Sequence, residues 1–214
     1  VQAHLYSSDY EDYTVGGTIV SQSGSWWSPG SAAVVAVDPL DSENQVLDMV
    51  GGASTFWLSG YGYDDVTDAV VAIDMDVYLS DTTQRAVTYA ITDNDSSDVI
   101  YNAYGRSGAS TIDWHTGVAW ATVAAPTSDA TWMHFRYVLD QVNNTYSLIV
   151  DGTPVLTNVN TWNDPITTNT STFDQDNDNS LVLVDNIAVS VVPEPMTCVL
   201  LGLGGLGLLR RNRK

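Results

Sequence analysis

Residues 131–156 read Thr131-Trp-Met-His-Phe-Arg-Tyr-Val-Leu-Asp140, then Gln-Val-Asn-Asn, then Thr145-Tyr-Ser-Leu-Ile-Val-Asp-Gly-Thr-Pro-Val-Leu156, and they decide the fold. In the first part, every second side chain is a large apolar one, which is the pattern of a strand with one buried face. Asn143-Asn144 and Asp151-Gly152 are residue pairs that tight hairpin turns favour. The stretch therefore predicts three antiparallel strands, at residues 131–140, 146–150 and 153–156.

The same alternation recurs at residues 69–79, where five apolar side chains share one face and Asp74 and Asp76 share the other. Shorter apolar stretches predict further strands at residues 13–20, 33–37, 45–50, 55–59, 85–92, 99–104, 118–123 and 181–191. The intervening residues 60–68 and 158–179 are polar and are predicted to form loops. Many short strands, frequent turns and no convincing helix indicate one all-β domain, a sandwich or a barrel.

The charge of the chain is strongly negative, with 26 acidic and 7 basic residues and a formal net charge of −19. Four of the bases lie in the last five residues, so the rest of the chain has only Arg85, Arg106 and Arg136. A field of this sign repels nucleic acid and anionic membrane surfaces, and it attracts cations. The composition therefore excludes nucleic-acid binding as a function.

The C-terminal segment has three parts in a fixed order. Pro193-Glu194-Pro195 comes first, then an uncharged run at 196–209, then a basic end that begins with Arg210-Arg211. As a helix the run would be about 21 Å long at ~1.5 Å per residue, which is short for a hydrocarbon core of ~30 Å. Its glycines weaken a helix further. A short hydrophobic helix that enters a membrane transiently fits this segment better than a permanent span.

This order of parts resembles the PEP-CTERM sorting signal of Gram-negative bacteria. The resemblance implies export, recognition of Pro193, Glu194 and Pro195 by an exosortase-type enzyme, and removal of the hydrophobic helix with its basic end. The implied location is the cell surface or the extracellular matrix. Residues 1–3 match the end of a signal peptide, so the expected organisation is a remnant of that peptide at 1–3, a body at 4–191 and the sorting signal at 192–214.

Two stretches of the body resemble concanavalin A-like, laminin-G-type jelly rolls. Residues 146–152 (Tyr-Ser-Leu-Ile-Val-Asp-Gly) are similar to a hairpin of that family, and residues 184–189 (Val-Asp-Asn-Ile-Ala-Val) are similar to its closing strand. The resemblance implies two curved antiparallel sheets, often a structural calcium ion, and often a glycan ligand.

Calcium has two candidate sites. In such jelly rolls an acid from the first strand and one from the last commonly hold Ca²⁺, which here would be Glu11 and Asp185. Asp174, Asp176 and Asp178 follow an Asp-x-Asp-x-Asp spacing that can place three carboxylates around one ion. This loop is not an EF-hand, because Asn179 stands where that motif needs glycine. The alternative interpretation of the three aspartates is a solvated acidic loop.

Exposed aromatic side chains are the candidates for glycan contact, since sugar rings stack on Trp and Tyr while polar groups bind their hydroxyls. The predicted glycan-binding residues are Trp57, Tyr61, Tyr63, Arg106 and Trp114. Asp64, Asp65, Tyr104 and His115 are their neighbours in sequence. The alternative interpretation is that these aromatic residues belong to the core.

The sequence does not favour catalysis. Laminarinase-type jelly rolls carry Glu-x-Asp-x-x-Glu on one strand, and the nearest match, residues 74–79, lacks both glutamates. The histidines show no metal-ligand spacing, and no Gly-x-Ser-x-Gly turn occurs. The function predicted is therefore a non-catalytic surface or matrix protein that contacts polysaccharide. The alternatives are a purely structural surface protein and, with Asp74 and Asp76 on one face, a glycoside hydrolase or lyase.

Overall fold

The structure is a computed structural model, and it describes residues 3–27, 33–49, 57–81, 88–93, 98–104, 111–116, 118–124, 128–163, 168–175 and 181–193. These residues form two antiparallel sheets. The strands of the eight-stranded sheet are β1 (Ala3–Ser8), β3 (Val34–Val37), β4 (Gln45–Asp48), β6 (Val70–Leu79), β11 (Thr131–Asp140), β12 (Thr145–Val150), β13 (Thr153–Asn160) and β15 (Val182–Val192). The strands of the seven-stranded sheet are β2 (Trp26–Trp27), β5 (Trp57–Val66), β7 (Thr88–Asp93), β8 (Asp98–Tyr104), β9 (Thr111–His115), β10 (Trp120–Ala124) and β14 (Thr168–Gln175).

The strand order shows how the chain alternates between the layers. The first sheet runs β13-β12-β11-β6-β15-β4-β3, with β1 also paired to β15, and the second runs β10-β9-β8-β7-β14-β5-β2. Neighbours such as β6 and β11 are distant in sequence, which is the long-range pairing of a jelly roll. The prediction of an antiparallel all-β sandwich is confirmed.

The stretch that decides the fold forms the predicted meander. Strand β11 pairs with β12 from Phe135 opposite Val150 to Asp140 opposite Thr145. Asn144 has a φ of 53°, and Gly152 has a φ of 75° in the next turn. Because both turns need the left-handed region, Asn and Gly are the residue types that fit them with least strain.

The core lies between the sheets and is formed by the alternate residues that the sequence pattern indicated. Phe135 and Tyr137 of β11 and Ile73 of β6 are fully buried. Ile91 and Ile112 belong to the same cluster from the opposite sheet. Burying each such side chain contributes about 1.5–3 kcal/mol, and the buried residues of both sheets form one continuous core.

Three of the predicted elements are wrong. Residues 13–20 form no strand, because Gly16, with a φ of 81°, turns the chain and donates its N–H to the Val35 carbonyl at 2.8 Å. The short helix α1 (Ile19–Gln22) follows and buries Ile19 in the core. The predicted loop at 60–68 is instead the second half of β5, which pairs with β14 inside the predicted loop at 158–179. Gly and Asp in β5 and Asn and Asp in β14 are depleted in strands, so β-propensity does not favour strands at these positions.

The C-terminal segment is described only as far as Pro193. Glu194, Pro195, Arg210, Arg211 and the predicted hydrophobic helix lie outside the described residues. Within the residues described, no helix has the length and apolar character to cross a membrane.

Candidate functional site

Three aromatic rings meet at one edge of the seven-stranded sheet, and we call them the aromatic cluster: His115, Trp120 and Trp162. His115 and Trp120 lie opposite each other on β9 and β10, and their ring centroids are 5.4 Å apart in an edge-to-face arrangement. The centroid of the Trp162 ring lies 4.2 Å from that of His115 at an interplanar angle of 36°. All three side chains are half-buried, so part of each ring faces solvent.

Elements of both sheets position the aromatic cluster. Trp162 follows β13 at the edge of the eight-stranded sheet, and its neighbour Thr161 donates its backbone N–H to the Asn144 carbonyl at 3.0 Å. On the other sheet, the turn between β9 and β10 is closed by a Thr116 N–H bond to the Ala119 carbonyl at 2.9 Å. The cluster therefore rests on two turns whose backbone is hydrogen-bonded.

A carboxylate lies on the same face, two residues before His115. Asp113 pairs with Thr122 across β9 and β10, and the Thr122 hydroxyl donates to Asp113 Oδ1. Because strand residues two apart share a face, Asp113 and Thr122 lie beside His115 and Trp120; Thr122 is exposed, whereas Asp113 is buried with 3% of its surface exposed. Half-exposed indole faces can stack on a sugar ring, and the exposed Thr122 hydroxyl, held by the buried Asp113 carboxylate, can bind a sugar hydroxyl.

A second polar arrangement, the acidic network, covers the outer face of the eight-stranded sheet. It joins the carboxylates of Asp38, Asp74, Asp76 and Asp185 through Asn44, His134 and Asn186. His134 links two of them, with Nδ1 2.8 Å from Asp76 Oδ1 and Nε2 3.2 Å from Asp74 Oδ1. The Arg136 guanidinium donates to the same Asp74 oxygen at 3.3 Å.

Charge decides the protonation of His134. Partial burial disfavours the imidazolium, but the hydrogen bonds and negative charges of Asp76 and then Asp74 outweigh it and raise the pKa of His134. The doubly hydrogen-bonded imidazolium is therefore the form that fits this position best, and it ties β11 to β6.

Asp185 is the buried member of the network, with 4% of its surface exposed. Burial raises the pKa of its carboxyl to about 6, opposed by hydrogen bonds from Asn44 and Asn186 and reinforced by the charges of Asp76 and Glu11. Asn44 Nδ2 donates to Asp185 Oδ2 at 3.1 Å, and the Asn186 backbone N–H donates to Oδ1 at 2.7 Å. The register of β15 against β6 shifts between Asp185 and Ala188, which is the bulge that brings Asn186 back over this carboxylate.

These contacts bear on the predicted calcium site at Glu11 and Asp185. The first and last strands do pair, but Glu11 accepts the Gln45 backbone N–H at 2.9 Å and Asp185 accepts amide N–H groups on both oxygens. Calcium takes six to eight oxygen ligands, whereas the partners here are nitrogens, so this arrangement does not fit Ca²⁺. Across the part of the chain that the structure describes, no group of three or more His, Cys, Asp or Glu side chains is arranged to hold a metal.

Of the three aspartates of the other predicted calcium site, the structure describes Asp174. Asp174 lies in β14, opposite Leu58 of β5, so it is part of a strand rather than of the predicted loop. Asp176 and Asp178 lie outside the described residues.

Those of the predicted glycan-binding residues that the structure describes lie on two strands of the seven-stranded sheet that are not neighbours, β5 and β9. Trp57 and Tyr61 lie in β5, and Arg106 lies outside the described residues. Tyr63 packs against the core, where burial raises the pKa of its phenol to about 12 against hydrogen bonds from Thr168 and Ser171. Trp114 also packs against the core, and its neighbour His115 is the one that faces the aromatic cluster.

Sequence reasoning missed Trp120 and Trp162. The alternation of residues 111–115 was the available signal for β9, and the hairpin to β10 would have placed residue 120 opposite 115. No local signal connects Trp162 to them, because it arrives from the other sheet.

No protein-family model and no curated protein sequence matches this chain. Solved structures do match. A sialidase is similar with a TM-score of 0.68 and 12% identity over 87% of this chain, although the match spans only 18% of the sialidase. A protein of unknown function from Bacillus subtilis with a galectin-like fold has a TM-score of 0.61 and 13% identity, covering 89% of this chain and 98% of that one. The lectin UEA-II, solved with galactose, has a TM-score of 0.58 and 9% identity, covering 90% and 100%. The chain thus has a lectin- or galectin-like jelly-roll fold.

Proposed function

We propose that this protein is a non-catalytic jelly-roll module that is exported to the cell surface or extracellular matrix and binds polysaccharide there. The observation that carries the proposal is the aromatic cluster, which offers two half-exposed indole rings around His115 beside the exposed Thr122. The likeness of the fold to a lectin solved with galactose supports the same ligand class. The net charge of −19 favours uncharged glycans over uronates or sulfated sugars.

The state of the carboxylates supports a binding rather than a hydrolytic role. Asp74 and Asp76 are the pair that shares a strand face, and both are hydrogen-bonded to His134, which holds them in an ion-paired arrangement. A glycosidase needs one carboxyl that stays protonated and one that attacks or activates water. Two carboxylates that both contact one imidazole ring form an ion-pair network rather than an acid and a nucleophile on either side of a substrate.

The C-terminal segment supports export. Pro193-Glu194-Pro195, the uncharged run and the basic end, with Arg210 and Arg211, resemble the PEP-CTERM signal, so an exosortase-type enzyme is the proposed processing partner. Expression in a bacterium that carries an exosortase tests this proposal. We expect the mature protein to lose the mass of the segment after the Pro-Glu-Pro motif, and a Glu194→Ala variant to keep it in the membrane fraction. Equal processing of both forms would contradict the assignment of the motif.

A glycan array tests the binding proposal. We expect the protein to bind uncharged polysaccharides, and Trp120→Ala and Trp162→Ala each to weaken binding by about tenfold or more, as truncation of a central aromatic contact does. Trp132→Ala is the matched control, since Trp132 is another half-buried tryptophan but lies on the outer face of the other sheet against Tyr78. Release of reducing sugar from a bound polysaccharide would show an enzyme instead. No binding to any glycan would leave the purely structural role.

A further inference from the structure

An open cleft lies at the edge of the sandwich opposite the aromatic cluster. It is bounded by β1 of the eight-stranded sheet, by the turn after α1, and by β5 and β14 of the other sheet. Its volume is about 510 Å³, which is within the range of small-molecule sites. The residues that give it its chemistry are Tyr6, Gly24, Ser25, Gly62, Asp64 and Asn169.

Two glycines keep the cleft open. A Cβ built on Gly62 would be 3.8 Å from the Asn169 carbonyl oxygen and 4.0 Å from the Ser25 carbonyl oxygen, both at the cleft wall. A Cβ built on Gly24 would meet no atom within 4 Å. Neither glycine has a φ in the left-handed region, so the backbone tolerates a side chain at both positions. Because neither glycine has a side chain, the cleft keeps space for a ligand at both positions.

The polar groups at the wall are those that bind hydroxyls. Asp64 offers an exposed carboxylate. Asn169 forms part of the opposite wall, where its Nδ2 donates to Asp65 Oδ1 at 2.9 Å and so holds the side chain in place. The Gly62 N–H donates to the Ser25 carbonyl at 2.8 Å, which fixes the turn after α1 against β5. Tyr6 and Tyr63 also line the cleft, and both pack partly against the core. Asp64 is acidic and none of the described lining residues is basic, so the lining disfavours anionic ligands and suits hydroxyl groups.

We propose that this cleft is a second saccharide-binding site, which takes one sugar unit of an uncharged glycan with Asp64 and Asn169 binding its hydroxyls. This inference rests on the proposed function for the nature of the ligand but not for the position of the site. In the seven-stranded sheet, β10 forms one edge, while β5 lies next to β2 at the other. Two sites at opposite edges make the module bivalent, so one molecule links two polysaccharide chains.

Native mass spectrometry of the full chain with neutral hexasaccharides of glucose, mannose and galactose tests the inference by stoichiometry. We expect the wild-type protein to bind two equivalents of at least one of these sugars. Gly24→Phe places a ring into the open space at the cleft and should reduce this to one equivalent. Asp64→Asn keeps the shape of an exposed side chain but removes the charge, and should weaken the same equivalent by about tenfold. Thr153→Phe adds the same ring at an exposed position of β13 and should retain both.

The outcomes separate the two proposals. If Trp120→Ala with Trp162→Ala removes one equivalent and Gly24→Phe the other, both stand, and only the wild type should make a soluble polysaccharide turbid by cross-linking. If the wild type binds a single equivalent, and this is lost in the Trp120→Ala and Trp162→Ala variants but unaffected by Gly24→Phe and Asp64→Asn, the cleft is not a site and the aromatic cluster is. A single equivalent that is lost only with Gly24→Phe and Asp64→Asn overturns the aromatic cluster as a site and leaves the cleft. No binding of any of the three sugars overturns both.

Discussion

The stability of this protein is expected to fall as the pH rises from 4 to 7, and Asp185 is the main cause. Its side chain is buried under Asn44 and Asn186, and burial raises the pKa of its carboxyl from 3.8 to about 6. A group that binds its proton more tightly in the folded state favours folding at low pH. Above pH 6 the folded state holds the carboxylate in a buried position, and that part of the stability is lost.

The size of the effect follows from the pKa shift. A change of one pKa unit corresponds to about 1.4 kcal/mol, so a rise from 3.8 to about 6 gives roughly 3 kcal/mol as an upper value. Domains of this size are stable by about 5–15 kcal/mol, so the loss is a substantial fraction of the total. The steepest change falls between pH 4 and pH 6, where the folded state binds up to one proton more than the unfolded state.

Urea denaturation at pH 4, 5, 6 and 7 and constant ionic strength measures this effect in the wild type and in Asp185→Asn. The variant has its own cost, since an amide cannot accept hydrogen bonds on both sides as the carboxylate does. The quantity to compare is therefore the change in unfolding free energy between pH 4 and pH 7 within each protein. Asp12→Asn, at an exposed acid, is the control. If Asp185→Asn shows the same change with pH as the wild type, the buried carboxylate is not the cause and the reasoning is refuted.

Three further predictions concern the acidic network and the core. His134→Ala should remove the loss of stability that the wild type shows above pH 6.5, because an imidazole whose pKa is raised in the folded state stabilises the fold below its unfolded pKa, and this stabilisation disappears as the pH passes its folded pKa. At this half-exposed position we expect the effect on the unfolding free energy to be less than about 1 kcal/mol. If the urea midpoint changes equally in both proteins between pH 6 and higher pH, this prediction is wrong. Phe135→Ala should cost about 3–5 kcal/mol with an unchanged denaturant slope, since its fully buried ring fills the core at the central strand β11; a loss below 1 kcal/mol in denaturation would show that the core is not packed there. EDTA should leave the melting temperature of an Asp174→Asn variant, which lacks one ligand of the other predicted calcium site, unchanged, because amide donors already occupy the oxygens of Asp185; a lower melting temperature that calcium restores in this variant would show that Asn44 and Asn186 turn their oxygens to an ion.

Elements whose local pattern and tertiary role agree were predictable from the sequence. Strand β11 was predicted to its end residues because Met133, Phe135, Tyr137 and Leu139 are all buried on one face. The two hairpin turns were predictable because left-handed backbone selects Asn and Gly. Strand β14 was not, since its Thr, Asn and Ser residues lack apolar alternation. Thr168 and Ser171 are buried there as hydrogen-bonding groups around Tyr63 rather than as apolar side chains.

The sites were harder to predict than the strands because their residues come from different sheets. Selecting loop aromatic residues led to Tyr63 and Trp114, yet strand parity points both of these side chains to the core. The neighbour on the opposite face of β9, His115, is the residue that meets other aromatic rings. Its contact with Trp162 depends on where β13 ends, which is fixed by the Thr161 bond to the turn at Asn144. An aromatic residue in a sandwich is therefore a candidate for ligand contact when its side chain lies on the outer face of a sheet and its strand lies near the sheet edge. Both depend on strand pairing, which the composition of the chain does not determine.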